Sequence, residues 1–286
     1  MSFLSFIFNR LRRKATGARN ISDLEIHLVH ACNLACESCS HYSNQGHKGI
    51  LSLTDAEHWM RLWNHRLNPG NFSMLGGEPT IHPDLPEFVP LARRCWPRAH
   101  LKIVTNGFFL QRHPLLPIVL KKDRDACLYV TIHSDASEYQ EKMRPALELV
   151  NGWVRDHQIR VVYIESYKNW TRRYRGFGSA MEPFEDGQPR FSWEHCAPKY
   201  CTQLLEGKLW KCPPLAYLPM QDARHCLSAK WKPYLQYQPL KPGCTDRQLE
   251  EFFDRGDEVY CGMCPASPER FDPPLPLRTM ILPNFS

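Results

Sequence analysis

Between residues 24 and 164, short apolar runs alternate with helical stretches, and this alternation constrains the chain more than any other feature. The runs are Leu24–Val29, Phe72–Leu75, Leu101–Thr105, Leu128–Ile132 and Ile159–Ile164. The spacing predicts helices between them. One is opened by Thr54 with Glu57 three residues on, the arrangement of a capping box, and one follows Pro83-Asp84. Two more run around Leu115–Lys121 and over Ser137–Trp153. Strands separated by helices pair in parallel, because each helix returns the chain to the same end of the sheet. The expected class is therefore α/β, with functional groups at the C-terminal ends of the strands. A hydrophobic content of 43% gives such a sheet a core and excludes a disordered chain.

The texture changes near residue 185. Beyond it come Gly and Pro punctuation, few periodic runs and seven of the twelve cysteines. A second, loop-rich unit is expected over 186–286, following a β/α body over 21–185. Its predicted elements are a hairpin over Gln203–Lys211, turning at Glu206-Gly207, and a helix over Thr245–Asp254. So small and Pro-rich a unit buries little apolar area, and a bound metal would supply the missing stability.

Residues 1–20 form an apolar-then-basic arm. It holds Arg10, Arg12, Arg13, Lys14 and Arg19 and no acid; without those five the formal charge of +6 becomes +1. A nearly neutral body lacks the basic surface that phosphate backbones require, so no nucleic-acid partner is expected. Two readings of the arm stay open: a terminus or helix packed on the body, or peripheral membrane contact through residues 1–14. Its apolar residues precede its charges, the reverse of a secretory signal, and no apolar run reaches bilayer-spanning length. A cytoplasmic protein is expected, with membrane association at the N-terminus as the further reading. In that reducing compartment close-set thiols bind metal or do chemistry.

Three such thiols, Cys32, Cys36 and Cys39, stand at CxxxCxxC directly after the first strand. A structural zinc site takes four protein ligands, whereas three thiolates suit a cubane iron-sulfur cluster with one iron left open. With Gly76-Gly77-Glu78-Pro79 after the second strand, Thr105-Asn106-Gly107 after the third and His133-Ser134-Asp135 after the fourth, the chain resembles the radical S-adenosylmethionine (SAM) superfamily. The resemblance implies a partial (β/α)6-type TIM barrel over 21–185. It implies a 4Fe-4S cluster on Cys32, Cys36 and Cys39, with SAM on its open iron. Gly76, Gly77, Glu78 and Pro79 would hold the methionine amine; Thr105, Asn106, Ser134 and Asp135 would contact SAM and its ribose. It also implies an external one-electron reductant and reductive cleavage of SAM to methionine and a 5′-deoxyadenosyl radical. One position departs from the pattern: Ser38 stands where the superfamily commonly has an aromatic residue near adenine, and Tyr42 or His41 is the candidate replacement.

The later cysteines include Gly207 to Cys212 as Gx4C, Cys261 and Cys264 as CxxC, and Cys196 and Cys201 upstream. This resembles the SPASM domain in its truncated form, called Twitch, because the further cysteines of the full domain are missing. One auxiliary 4Fe-4S cluster is implied on Cys212, Cys261 and Cys264, with Cys196 and Cys201 disputing the remaining place. A structural zinc site of similar geometry is the alternative. Cys95, Cys127, Cys226 and Cys244 are expected to be ordinary buried thiols, and His82, His100 and His113 surface or helix-end residues. Trp170, Arg172, Arg173 and Tyr174 are candidates for a substrate mouth, and no catalytic side chain is named by the sequence. An extra cluster can accept a second electron from a substrate radical. The architecture therefore resembles radical SAM dehydrogenases, and the expected reaction is dehydrogenation or epimerisation of a carbohydrate- or cyclitol-like small molecule. The alternatives are modification of a peptide or protein side chain, and a non-catalytic metal-binding protein.

Overall fold

The computed structural model describes residues 17–272, 274, 275 and 277. Most of the arm, including residues 1–14, lies outside them. The central element is one sheet ordered β5-β4-β3-β2-β1-β6-β7. Its strands are β1 (Arg19–His27), β2 (Leu67–Leu75), β3 (His100–Thr105), β4 (Ala126–Ile132), β5 (Val161–Glu165), β6 (Thr202–Leu205) and β7 (Lys208–Trp210). All neighbours pair in parallel except β6 and β7. The sheet keeps two edges, β5 and β7, so the barrel is partial.

Helices α1 (Leu53–Trp63), α2 (Leu85–Cys95), α3 (Leu116–Lys122) and α4 (Ser137–His157) form the crossovers between successive strands. Alternate strand residues Leu24, Ile26, Phe72, Met74, Leu101, Ile103, Leu128 and Val130 are buried with Trp63, Phe88, Leu116, Met143 and Val150 of the helices. The other face is polar. Lys102 lies 3.6 Å from Asp23 and over the Tyr129 ring, and Gln203 donates to Glu25 at 2.5 Å.

β1 and β2 each begin five residues before the apolar runs that announce them. Their polar first halves pair with each other from Arg19↔Leu67 onward, while β3 meets β2 only from Asn71. The cap of α1 is Ser52, whose hydroxyl accepts from the Asp55 amide at 3.0 Å; Thr54 lies inside the helix. The hairpin turns at Glu206 (φ 52°) and Gly207 (φ 70°), a pair of left-handed residues that matches the twist of a two-residue connection. It extends the main sheet, because Leu24 pairs with Thr202. Helix α5 (Pro189–Glu194) precedes the hairpin, α6 (Pro213–His225) follows it, and α7 (Asp246–Asp254) opens on a capping box between Thr245 and Gln248. A second core gathers Tyr42 and Tyr174 with Met181, Trp210, Leu215, Leu218, Trp231 and Met263. No helix among the described residues is long and apolar enough to cross a membrane.

Candidate functional site

The loop after β1 is joined to the loop after β2 by backbone alone. The Gly77 amide donates to Val29 O at 2.7 Å and the Glu78 amide to Ala31 O at 2.9 Å. A Cβ on Gly76 would stand 2.6 Å from Val29 O, and one on Gly77 2.6 Å from the Ala31 carbonyl carbon. These glycines therefore let the two loops approach each other.

Glu78 then ties in the third loop. Its carboxylate accepts from the Thr80 amide at 3.0 Å, from the Thr80 and Thr105 hydroxyls, and from the Asn106 amide at 2.7 Å. Burial raises its pKa, and these donors oppose the rise. Asn106 Nδ2 reaches Asn33 Oδ1 at 2.7 Å and lies 4.0 Å from Cys32 Sγ. Pro79 starts the turn that presents Thr80. His82 and His113, expected at the surface or at helix ends, do end the short helical turns Pro79–Ile81 and Leu110–Arg112 but are buried, where their Nε2 atoms donate to Leu51 O at 2.8 Å and Thr80 O at 2.9 Å.

After β4, His133 sits against the cysteine loop, with Nδ1 3.5 Å from Cys36 Sγ. The neighbours fix its tautomer. The Thr131 hydroxyl donates to Thr105 O, so it accepts from His133 Nε2–H at 2.9 Å. The Ser166 hydroxyl donates to Ile132 O at 2.9 Å, leaving His133 Nδ1 to accept the Cys36 thiol proton. Burial lowers the His133 pKa to about 4, so the ring is neutral. Ser134 Oγ accepts from the Ala136 amide at 3.2 Å and the Ser134 carbonyl from Gln140 at 2.7 Å, which positions Asp135 just before α4.

Burial pushes the thiols of Cys32 and Cys39 up. At Cys39 the backbone amides of His41, Tyr42, Ser43 and Asn44 oppose that rise by hydrogen bonding to the sulfur. Neighbouring Ser38 adopts φ 57° and is buried. Its Oγ accepts from the Arg173 amide at 2.6 Å and the Tyr174 amide at 3.2 Å. Trp170 Nε1 donates to Glu37 O at 2.7 Å, and Arg172 pairs with Glu37. Residues 170–174 thus strap the cysteine loop. Tyr42 is buried, with its hydroxyl donating to Pro214 O at 3.4 Å. His41 packs among His27 and Tyr217. Sequence reasoning overlooked Asn33 and the buried contacts of His82 and His113; only the position of Asn33 inside CxxxCxxC hinted at its contact.

The later cysteines divide. Burial raises Cys212, and the thiols of Cys196, Cys264 and Cys261 act on it in the same sense. Burial likewise raises Cys264, with Cys196 and Cys261 adding to it, and pushes Cys261 up to about 11. Cys201 turns elsewhere: burial raises it, then the Glu25 carboxylate, to which it is hydrogen-bonded. Of the two upstream thiols, Cys196 is the one that acts on Cys212, Cys261 and Cys264. The Glu258 amide donates to Cys261 Sγ at 3.4 Å, and Ser192 Oγ of α5 donates to Cys264 O at 2.9 Å. Of the isolated cysteines, Cys95 and Cys127 are buried as expected, but Cys226 is exposed, because it ends α6 in a left-handed conformation.

Residues 26–150 match the family model described as Radical SAM superfamily. Those residues are a radical SAM domain. GTP 3′,8-cyclase of Mycolicibacterium smegmatis is 31% identical over 100 residues, 34% of this chain and 28% of that protein. A "Probable GTP 3′,8-cyclase" of Saccharolobus islandicus (strain L.S.2.15) is 32% identical over 93 residues, 32% of this chain and 30% of that protein. The chain thus spans about a third of the length of the curated relatives it matches. Among solved structures, BtrN in complex with AdoMet and 2-DOIA is similar at TM-score 0.49 and 19% identity, over 89% of this chain and 98% of that one. SuiB of Streptococcus suis bound to S-adenosylmethionine is similar at TM-score 0.44 and 13% identity, over 91% of this chain and 71% of that one.

A 4Fe-4S cluster and SAM are the cofactors characteristic of the radical SAM superfamily, and the first loop fits them chemically. Three half-buried thiols share one loop, and a neutral imidazole nitrogen faces one of them.

Proposed function

We propose that the chain is a radical SAM enzyme that abstracts hydrogen from a substrate. The proposed 4Fe-4S ligands are Cys32, Cys36 and Cys39, and those of an auxiliary, Twitch-like cluster are Cys196, Cys212, Cys261 and Cys264. The observation that carries the reading is the interlock of three strand-end loops around Glu78, with Asn106 of the third loop beside Cys32. When bound, the two clusters supply the electron that cleaves SAM and an acceptor for the electron the substrate gives up.

The protein's part is to orient and enclose. His133 Nδ1 would accept a hydrogen bond from Cys36, and the amides of residues 41–44 would stabilise a Cys39 thiolate. The Glu78 oxygens already serve protein donors. Its main role in this reading is therefore to fix Thr105 and Asn106, while Gly76, Gly77 and Pro79 bring the loop to the methionine end of SAM. Ser134 and Asp135, after β4, would contact the ribose.

An auxiliary electron acceptor favours net oxidation, so the proposed reaction is dehydrogenation or epimerisation of a carbohydrate- or cyclitol-like small molecule. A second reading, modification of a peptide, draws on the open edge at β5, where Val162, Tyr163 and Ile164 are 39%, 43% and 39% exposed. An extended peptide can add a strand to such an edge. The test is incubation of the anaerobically reconstituted protein with SAM, reductant and carbon-deuterated cyclitols, amino sugars or peptides. Deuterium in 5′-deoxyadenosine from a cyclitol or sugar supports the first reading. Transfer from peptides alone replaces it with the second.

A further inference from the structure

The body is nearly neutral by count, but the fold sorts its charges. The crossover helices all end where the strands begin. Asp55, Glu87 and Glu138 lie in their first turns, and Arg61, Arg93, Arg94, Lys121, Lys122 and Arg155 in their last. Helix dipoles favour that polarity. They do not account for Arg98, Arg124 and Arg160, which follow the helices in the loops leading into β3, β4 and β5. From the last turns to the strand starts, residues 61–66, 93–99, 121–125 and 155–160 hold ten Lys and Arg against three Asp. These loops touch, since the Leu101 amide donates to Asp125 O at 2.9 Å and Arg160 Nη1 to Arg124 O at 3.0 Å. On the β1–β2 side carboxylates answer the cations, Asp254 on Arg19 and Asp246 on Arg66. On the β3–β5 side Asp123 and Asp156 serve Arg93 and Arg155, and Asp125 is the remaining acid. There Arg94, Arg98, Lys121, Lys122, Arg124 and Arg160 are exposed and make no ion pair among the described residues.

The arm joins the same end. The described chain starts at Gly17, two residues before β1, and Arg10, Arg12, Arg13 and Lys14 precede it with no acid. Ahead of them stand Phe3, Leu4, Phe6, Ile7 and Phe8. From β1 to β5 is four strand spacings, about 20 Å. The sixteen residues before Gly17 can extend about 50 Å, so the whole face is within their reach. An apolar run beside unpaired cations suits acyl chains and anionic headgroups together, whereas a nucleic acid would leave the apolar run without a partner. We propose that the end of the barrel where the strands begin, together with the arm, is a docking face for an anionic lipid bilayer. Stable anchoring takes two signals; the arm supplies the apolar one and the β3–β5 loops the electrostatic one. The cysteine loop, at the opposite strand ends, then faces away from the bilayer. No cysteine or SAM-contact residue belongs to this face, so the proposal stands apart from the cluster readings.

The test is co-sedimentation of the full chain with vesicles of phosphatidylcholine alone and of phosphatidylcholine with phosphatidylserine. The anionic vesicles should bind more tightly, with affinity falling as salt rises. Lys121→Gln with Lys122→Gln, and Arg94→Gln with Arg98→Gln, should each lower that affinity roughly 30-fold, about fivefold per charge. Phe6→Ser with Phe8→Ser should lower it as well. Lys142→Gln, which removes a charge in the second turn of α4 toward the opposite end, should bind as the parent does. No preference for the anionic vesicles, parent-like affinity in the paired Gln variants or in the Ser variant, or an equal loss in Lys142→Gln overturns the proposal. Tighter binding to a DNA duplex than to those vesicles replaces the lipid with a nucleic acid.

Discussion

Replacing Gly77 with Ala isolates the contact on which the site's assembly depends. Gly77 is not in the left-handed region, so Ala tolerates its backbone dihedrals and only the close approach is tested. The new Cβ would lie 2.6 Å from the Ala31 carbonyl carbon and 2.8 Å from His30 O, both rigid backbone, where ordinary contact begins at 3.4 Å. Ala31 O stands nearer still, so the loops must separate by more than 0.8 Å, the difference between 3.4 and 2.6. That strains the hydrogen bonds from Gly77 N to Val29 O at 2.7 Å and from Glu78 N to Ala31 O at 2.9 Å. Losing two buried backbone bonds costs about 2–4 kcal/mol, a large share of the roughly 5–15 kcal/mol of a typical domain. A displacement near 1 Å at a reacting site can cost about 100-fold in rate. Anaerobic urea denaturation and 5′-deoxyadenosine formation measure the two effects. Parent-like stability together with parent-like SAM cleavage would refute the reasoning.

Other consequences are open to measurement. Cys196→Ala should remove the second cluster while Cys201→Ala retains it, as read by iron and sulfide content; the reverse outcome would move the fourth ligand to Cys201. Ser38→Ala leaves the Arg173 and Tyr174 amides without their shared acceptor. It should destabilise by roughly 1–3 kcal/mol in denaturant titration, and a neutral effect would mean the strap is held otherwise. Burial depresses the pKa of His27 far below 6.5 and that of His30 and His41 to about 4. Above 6.5 these rings are neutral whether the chain is folded or unfolded. Between 6.5 and about 4 only the unfolded chain binds the protons, so stability should fall as pH drops through that window. A melting temperature that rises there would contradict this assignment. Chelation of iron should loosen the segment around Cys196, Cys212 and Cys261, read as faster hydrogen exchange in α5 and residues 259–263; unchanged protection would show that apolar packing alone suffices there.

Much of the fold was legible because its periodic elements are local. The alternating runs identified five strands, and the turn at Glu206-Gly207 announced its hairpin through residues that tolerate positive φ. The polar first halves of β1 and β2 were not legible, since Arg19–Asp23 and Asn68–Asn71 become strand only by pairing with each other. Nor was the placement of β6 beside β1, a contact between residues 178 apart at Glu25 and Gln203. At the site, the motif spacings correctly pointed to loops at strand ends, several of which the fold joins. They could not reveal that Gly76 and Gly77 serve loop-to-loop approach, that Glu78 is saturated by Thr80, Thr105 and Asn106, or that Cys201 turns to Glu25. Those outcomes depend on which side chains tertiary packing brings together, and CxxC-type spacing carries no such information.

The central claim is tested most directly by supplying SAM and a strong one-electron reductant to the anaerobically reconstituted protein and measuring 5′-deoxyadenosine and methionine. Both products should form in equal amounts, and both should vanish in Cys32→Ala, because that thiol is one of the three proposed to hold the electron source. Failure of the parent to cleave SAM despite a full iron content, or undiminished cleavage in Cys32→Ala, would contradict the account.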